Sequence, residues 1–191
     1  KVVYNFVTDD NARVLQLQSG QAQLIDFVPF ASAKEIASTD GLALDAAEIP
    51  SWIFLPLNNK KAELADPKVR QALSLAIDRE AINEQIYAGY GVVPNSVLPH
   101  LALDGTNDVV PAMAYDLEKA KQLMAESGYP DGFDATLEFP SGSTAFQSLA
   151  TVLQAEWADL GVNLTLKPED QATLSKNFTG GTYDMALPYA T

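Results

Sequence analysis

Few residues of this chain are equipped to make or break bonds. There is one histidine, His100, and no cysteine, which excludes disulfides, thiolate chemistry and a His cluster for metal. Ser141-Gly142-Ser143 reads as a loop, and a serine nucleophile there would have only His100 to activate it. No G-x-S-x-G elbow, P-loop or H-E-x-x-H motif occurs. Asp131 and Asp134 form a nominal carboxylate pair of the kind hydrolases use. They sit in and beside the tight turn Tyr129-Pro130-Asp131-Gly132, where solvated carboxylates are the simpler reading. Gly180-Gly181 lacks the dinucleotide-loop pattern and marks a hairpin or a helix end. His100 is either exposed and idle or a pH sensor. These residues point away from an enzyme, and no cofactor and no metal are expected.

The remaining chemistry is that of holding a ligand. Trp52 and Phe54, in Trp52-Ile53-Phe54-Leu55-Pro56-Leu57-Asn58-Asn59, either line a cleft or pack in a core. Asn58 bonds hinge backbone or makes a plain turn. Ser96 and Pro99 belong to a loop that borders a ligand or merely connects. Asp66 and Asp78 are expected to be helix caps, and Arg70 to pair on the surface with Asp66 or Glu63. The net charge of −13, from 25 acidic and 12 basic residues, repels phosphate backbones and anionic membranes, so nucleic acid is not an expected partner.

The elements that must position these residues follow from pattern. The 191 residues suffice for one substantial core or two small ones. No apolar run approaches a transmembrane length. Strands are expected at 2–7 and 24–28 around a short helix begun by Asp9 or Asp10 and ended at Gly20, a βαβ-sized unit. Residues 31–48 mix helix and loop signals, and 52–57 read as a buried strand. Asp66-Pro67 opens a helix with Val69, Leu73, Ala76 and Ile77 on one face, and Asp78 recaps a second. Residues 92–111 form a Pro-containing loop. A helix from Asp116, a strand at 135–139, a helix at 144–160 and a strand from Val162 make a second βαβ unit. A helix near 169–178 and a strand near 183–188 close the set. The class is α/β. The chain opens on Lys1 and closes on Tyr189-Ala190-Thr191 directly after a strand-like run, so both ends are expected to be cuts inside a longer protein.

The ordered set Asn58-Asn59, Asp66-Pro67-Lys68-Val69-Arg70-Gln71-Ala72-Leu73 and Ala76-Ile77-Asp78-Arg79-Glu80-Ala81-Ile82 resembles the family 5 solute-binding proteins of ABC importers, which include dipeptide, oligopeptide and nickel binders. Gly128-Tyr129-Pro130-Asp131-Gly132-Phe133, Gln154-Ala155-Glu156-Trp157, Leu160-Gly161-Val162 and Tyr183-Asp184 continue the resemblance downstream, and Arg13 with Leu17-Gln18-Ser19-Gly20 upstream. Gln21-Ala22-Gln23 depart from it, where the family often has an acidic residue. The resemblance implies a periplasmic-binding-protein-like (type II) lobe with a mixed sheet flanked by helices. Residues 1–50 are then the end of a first lobe and 51–191 most of a second. It implies a periplasmic or extracellular protein, lipid-anchored or free and monomeric at full length. Such a protein captures a peptide or similar small polar solute between its lobes and passes it to ABC permease subunits. A nickel chelate, an opine or a sugar on the same scaffold is the alternative, and a carboxylate-dependent hydrolase the alternative of another class. The ligand-facing residues it implies are Trp52, Phe54, Asn58, Ser96, Gln147 and Tyr189, with the acidic anchor for a ligand ammonium just past Thr191. Some dipeptide binders carry an arginine near the start of the helix that here holds Trp157. This chain has Ser143, Thr144, Phe146, Gln147 and Ser148 there, so either another base serves or the ligand is not a short free peptide.

Overall fold

Five aspartates decide where helices begin. In the computed structural model, which describes residues 1–47, 49, 51–93 and 114–188, each accepts a hydrogen bond from a backbone N–H of the first turn. Such caps satisfy donors that the helix itself leaves unpaired. Asp9 caps α1 (Asp10–Gln18), Asp66 caps α4 (Pro67–Leu75) and Asp78 caps α5 (Arg79–Ile86). Asp116 caps α6 (Leu117–Ala125) and Asp170 caps α8 (Gln171–Gly180). The others are α2 (Phe30–Ser38), α3 (Ala62–Ala65) and α7 (Thr144–Ala158). Asp66 also reaches across the fold: its second carboxylate oxygen accepts from the N–H of Gly128, 3.0 Å away, fixing the end of α6 beside the start of α4. Hydrogen bonds from the Gly128 and Lys68 N–H groups hold its carboxyl below the usual range.

Three parallel strands lie in the order β2-β1-β3, with β1 at Phe133–Pro140, β2 at Val162–Glu169 and β3 at Met185–Ala186. β1 and β2 start in register at Phe133 and Val162. The turns before them nearly touch: a Cβ on Gly132 would stand 1.9 Å from the Gly161 carbonyl oxygen. Only glycine fits there, and its φ of 81° also favours glycine. Leu57 bridges Met185 antiparallel on the far side of β3, which makes the sheet mixed.

One face of the sheet carries Ala135, Leu137, Phe139, Val162 and Leu164. It packs with α4, α6 and α7 into a single core, in which Trp157 is fully buried. The Trp157 indole N–H donates to the Leu73 carbonyl at 3.0 Å. That carbonyl lies in the last turn of α4, where helix carbonyls lack intrahelical partners.

The helices and strands expected beyond residue 114 are present, and so are those begun by Asp66 and Asp78. The strands expected at 2–7 and 24–28 are not. Both segments are irregular, and Val2, Tyr4, Phe6, Leu24 and Phe27 are exposed. β-branched and aromatic side chains favour a pleated, half-buried surface, and no strand among the described residues offers these segments a ladder. The run 52–57 is half-exposed and contributes only the Leu57 bridge, because Pro56 has no N–H to donate. Arg70 donates to the carbonyls of Leu64 and Ala65 at the end of α3 rather than pairing with Asp66 or Glu63.

Trp157→Phe leaves the Leu73 carbonyl unpaired in the core, and it is expected to destabilise by about 1–3 kcal/mol. Trp157→Ala is expected to lose about 3–5 kcal/mol. Urea unfolding checks both, and a Trp157→Ala change below about 0.5 kcal/mol would contradict this packing.

Candidate functional site

The crossing segment before α3 is fastened by one amide. The Asn58 side chain donates to the carbonyls of Gly181 and Tyr183 at 3.1 and 2.6 Å and accepts from the Lys60 N–H. Its backbone N–H donates to Asp184, and the Ala186 N–H donates to Pro56. A residue far upstream thus holds the turn that leads into β3. Of the two roles open for Asn58, the backbone-bonding one is the role it occupies.

This fastening aligns rings from two elements. Trp52 and Phe54 have centroids 6.3 Å apart, Phe54 meets Phe178 of α8 edge-on at 6.3 Å, and Phe178 lies 5.5 Å from Tyr183. All four are half-exposed and none belongs to the central core. Phe54 also lines an apolar cavity of about 330 Å³ with Ile77, Ile82, Leu149, Leu153 and Leu187. Leu187 follows the carboxyl end of β3, the end of a parallel strand at which α/β proteins place ligands.

The polar groups around this cavity are few. Arg79 donates to the Ser74 and Ile77 carbonyls and to the Ser74 hydroxyl. Burial pulls its guanidinium below the ordinary value, and Glu156 opposes that shift. The Tyr87 hydroxyl has no hydrogen-bond partner among the described residues, and burial pushes it up to about 12. Behind them, Glu156 accepts from the Asp78 N–H through Oε1, while its buried Oε2 lacks a partner. Burial raises its pKa.

A second, open cleft of about 610 Å³ lies on the opposite side of the sheet, lined by Lys60, Lys61, Lys167, Glu138 and Asp184 among others. Its charges mostly satisfy one another. The buried Glu138 accepts from Lys167 at 3.1 Å and from Asn177 at 2.9 Å. Asp184 accepts from the Thr136 N–H and pairs with Lys61 at 3.4 Å. This network fixes α8 against β1.

At the start of α7, Asp10 accepts from both the backbone N–H and the hydroxyl of Thr144, each at 3.0 Å, and it pairs with Arg13. The chain's own carboxylate therefore occupies the anion-favouring end of this helix.

The candidate ligand residues divide accordingly. Trp52 and Phe54 stand together on the aromatic row, with Phe54 in the apolar cavity, and Asn58 borders the polar cleft. Gln147 is exposed on α7 and lines neither. Ser96, Pro99, His100 and Tyr189 lie outside the described residues. Asp131 and Asp134 are both exposed, and Asp134 accepts from Asn163 at 3.0 Å. Sequence reasoning missed Phe178, Tyr87 and the Asp10–Thr144 bond. A bond spanning so much of the chain has no local signature, and an aromatic on a helix reads as core.

Across residues 1–191 the sequence matches the family described as bacterial extracellular solute-binding proteins, family 5 Middle. The chain belongs to this family. A glutathione-binding protein of Pectobacterium atrosepticum is 32% identical over 169 residues, covering 88% of this chain and 32% of the relative. Heme-binding protein A of Haemophilus influenzae is 33% identical over 166 residues, covering 85% and 30%. Among solved structures, the periplasmic binding protein DppA of Helicobacter pylori, in complex with a peptide, superposes with a TM-score of 0.85 at 25% identity, covering 94% of this chain and 35% of that one. The chain therefore spans about a third of the length of the curated relatives it matches. The fold is that of a type II periplasmic-binding-protein lobe. The family 5 proteins are solute binders rather than catalysts.

Two predictions follow from this geometry. Asn58→Ala removes two hydrogen bonds to the turn before β3 and is expected to destabilise by about 1–2 kcal/mol in urea unfolding. Glu156 is favoured in its protonated form by the fold, so its ionisation opposes folding and its stabilising share is lost as pH rises through the raised value. Glu156→Gln keeps an acceptor for the Asp78 N–H. It is expected to gain stability relative to the wild type between about pH 4 and about pH 7. A difference independent of pH would contradict that assignment.

Proposed function

We propose that the protein carrying this chain is the extracytoplasmic solute-binding component of an ABC importer. It captures a peptide or similar small polar solute between two lobes and delivers it to membrane permease subunits. The family match over residues 1–191 carries this reading. Residues 1–50 act as the end of the first lobe and 51–191 as most of the second. In keeping with that division, Val14, Ala33 and Ile36 are buried apart from the central core. The protein works as a monomer in the periplasm or outside the cell, free or lipid-anchored.

Capture needs a cleft that closes over its ligand and excludes water. The crossing at 52–58 is suited to a hinge, since it is tied to the second lobe only from Pro56 onward. A nickel chelate, opine or sugar is the alternative solute on the same scaffold. Hydrolysis by Asp131 and Asp134 finds no support, because both carboxylates are exposed and neither is in the apolar cavity.

The test is a thermal-shift panel of peptides, glutathione, heme and nickel chelates on the full-length protein. A rise in Tm without turnover is expected, since a ligand at 100 times its Kd adds about 2.7 kcal/mol. Turnover lost on Asp134→Asn would overturn the reading. The 191 residues alone, with one face of the cleft, are expected to bind no panel solute at submicromolar Kd.

A further inference from the structure

Four rings from two elements form one continuous row, yet the core does not use them. Trp52, Phe54, Phe178 and Tyr183 are half-exposed and lie outside the central cluster. Holding flat apolar surface partly open to water is unfavourable, so a row of this kind has value when something flat covers it. Beside it, the cavity at Phe54 has a volume of about 330 Å³ and a mostly aliphatic lining. That is the low end of ligand sites and the size of a side group rather than a whole peptide.

The charges beside the row are already committed. Arg79 is the only charged residue lining the cavity, and its guanidinium donates to Ser74 and Ile77. At the start of α7, Asp10 holds the Thr144 N–H and hydroxyl, so a ligand carboxylate placed there would meet a like charge. Residues 141–148 contain neither Lys nor Arg.

We infer that the solute carries a flat apolar group, an aromatic ring in the simplest case, that lies against the Trp52–Phe54–Phe178–Tyr183 row, and that no carboxylate of the solute is anchored at the start of α7. The inference rests on the solute-capture reading and names the chemical class for that cleft. The unpartnered Tyr87 hydroxyl in the same cavity supplies one neutral hydrogen bond for orienting the group.

The test uses the full-length protein and three probes by calorimetry: Phe-Phe amide, Phe-Phe free acid and Ala-Ala. Both aromatic probes are expected to bind about tenfold or more tightly than Ala-Ala, with the amide at least matching the acid. Phe178→Leu keeps apolar bulk but removes the ring and is expected to abolish most of that preference. Phe178→Tyr is expected to retain it, which separates ring recognition from a folding defect. Ala-Ala binding as tightly as Phe-Phe, or a preference unchanged in Phe178→Leu, overturns the inference and leaves solute capture standing. A free acid bound tenfold more tightly than the amide overturns the carboxylate part. No binding of any probe overturns the inference together with the peptide reading.

Discussion

The attachment of the crossing segment to the turn before β3 is the constraint on which the rest depends. A short strand such as Met185–Ala186 has little pairing of its own, and β1 covers only one of its edges. The other edge is covered by Pro56 and Leu57, and the Asn58 amide fixes the loop that delivers the strand. Covering a sheet edge also removes the unpaired backbone groups that invite misassembly. The same contacts bring Trp52 and Phe54 against α8, so the aromatic row is a consequence of how the edge is closed.

Around that joint the two sides of the sheet have opposite character. One side pairs buried Glu138 with Lys167 and Asn177 and ties Asp184 to Lys61. Buried polar groups of this kind are tolerable only when each has its partners. The other side places apolar lining, half-covered rings and one unpartnered hydroxyl around a small cavity. Polar groups spent on the fold leave nothing over for a ligand, whereas surface left uncovered is available to one. This contrast favours the smaller apolar cavity over the larger polar cleft as the place where a solute is recognised.

Much of this was legible in the sequence. The Asp caps and the apolar periodicity of α4, α6 and α7 are local signals, and local signals place elements well. Alternation at 135–139 and 162–166 gave the two long strands, and the ordered motifs gave the family. Residues 2–7 and 24–28 show where this stops: strand propensity is written in a segment, but its partner is not. The site was less legible for the same reason. The Asn58–Tyr183, Asp10–Thr144 and Phe54–Phe178 contacts join residues more than a hundred positions apart, and no spacing rule encodes them. Asp10 read as a helix-starting residue, and only the fold brings its carboxylate to another helix.

The most direct test of the account is a crystal structure of the full-length protein with an aromatic dipeptide amide bound. The account predicts a solute ring in contact with Phe54 or Phe178 while Asn58 still holds the Gly181 and Tyr183 carbonyls. A solute seated instead among Lys60, Lys61 and Lys167, with the four rings uncovered, would contradict it.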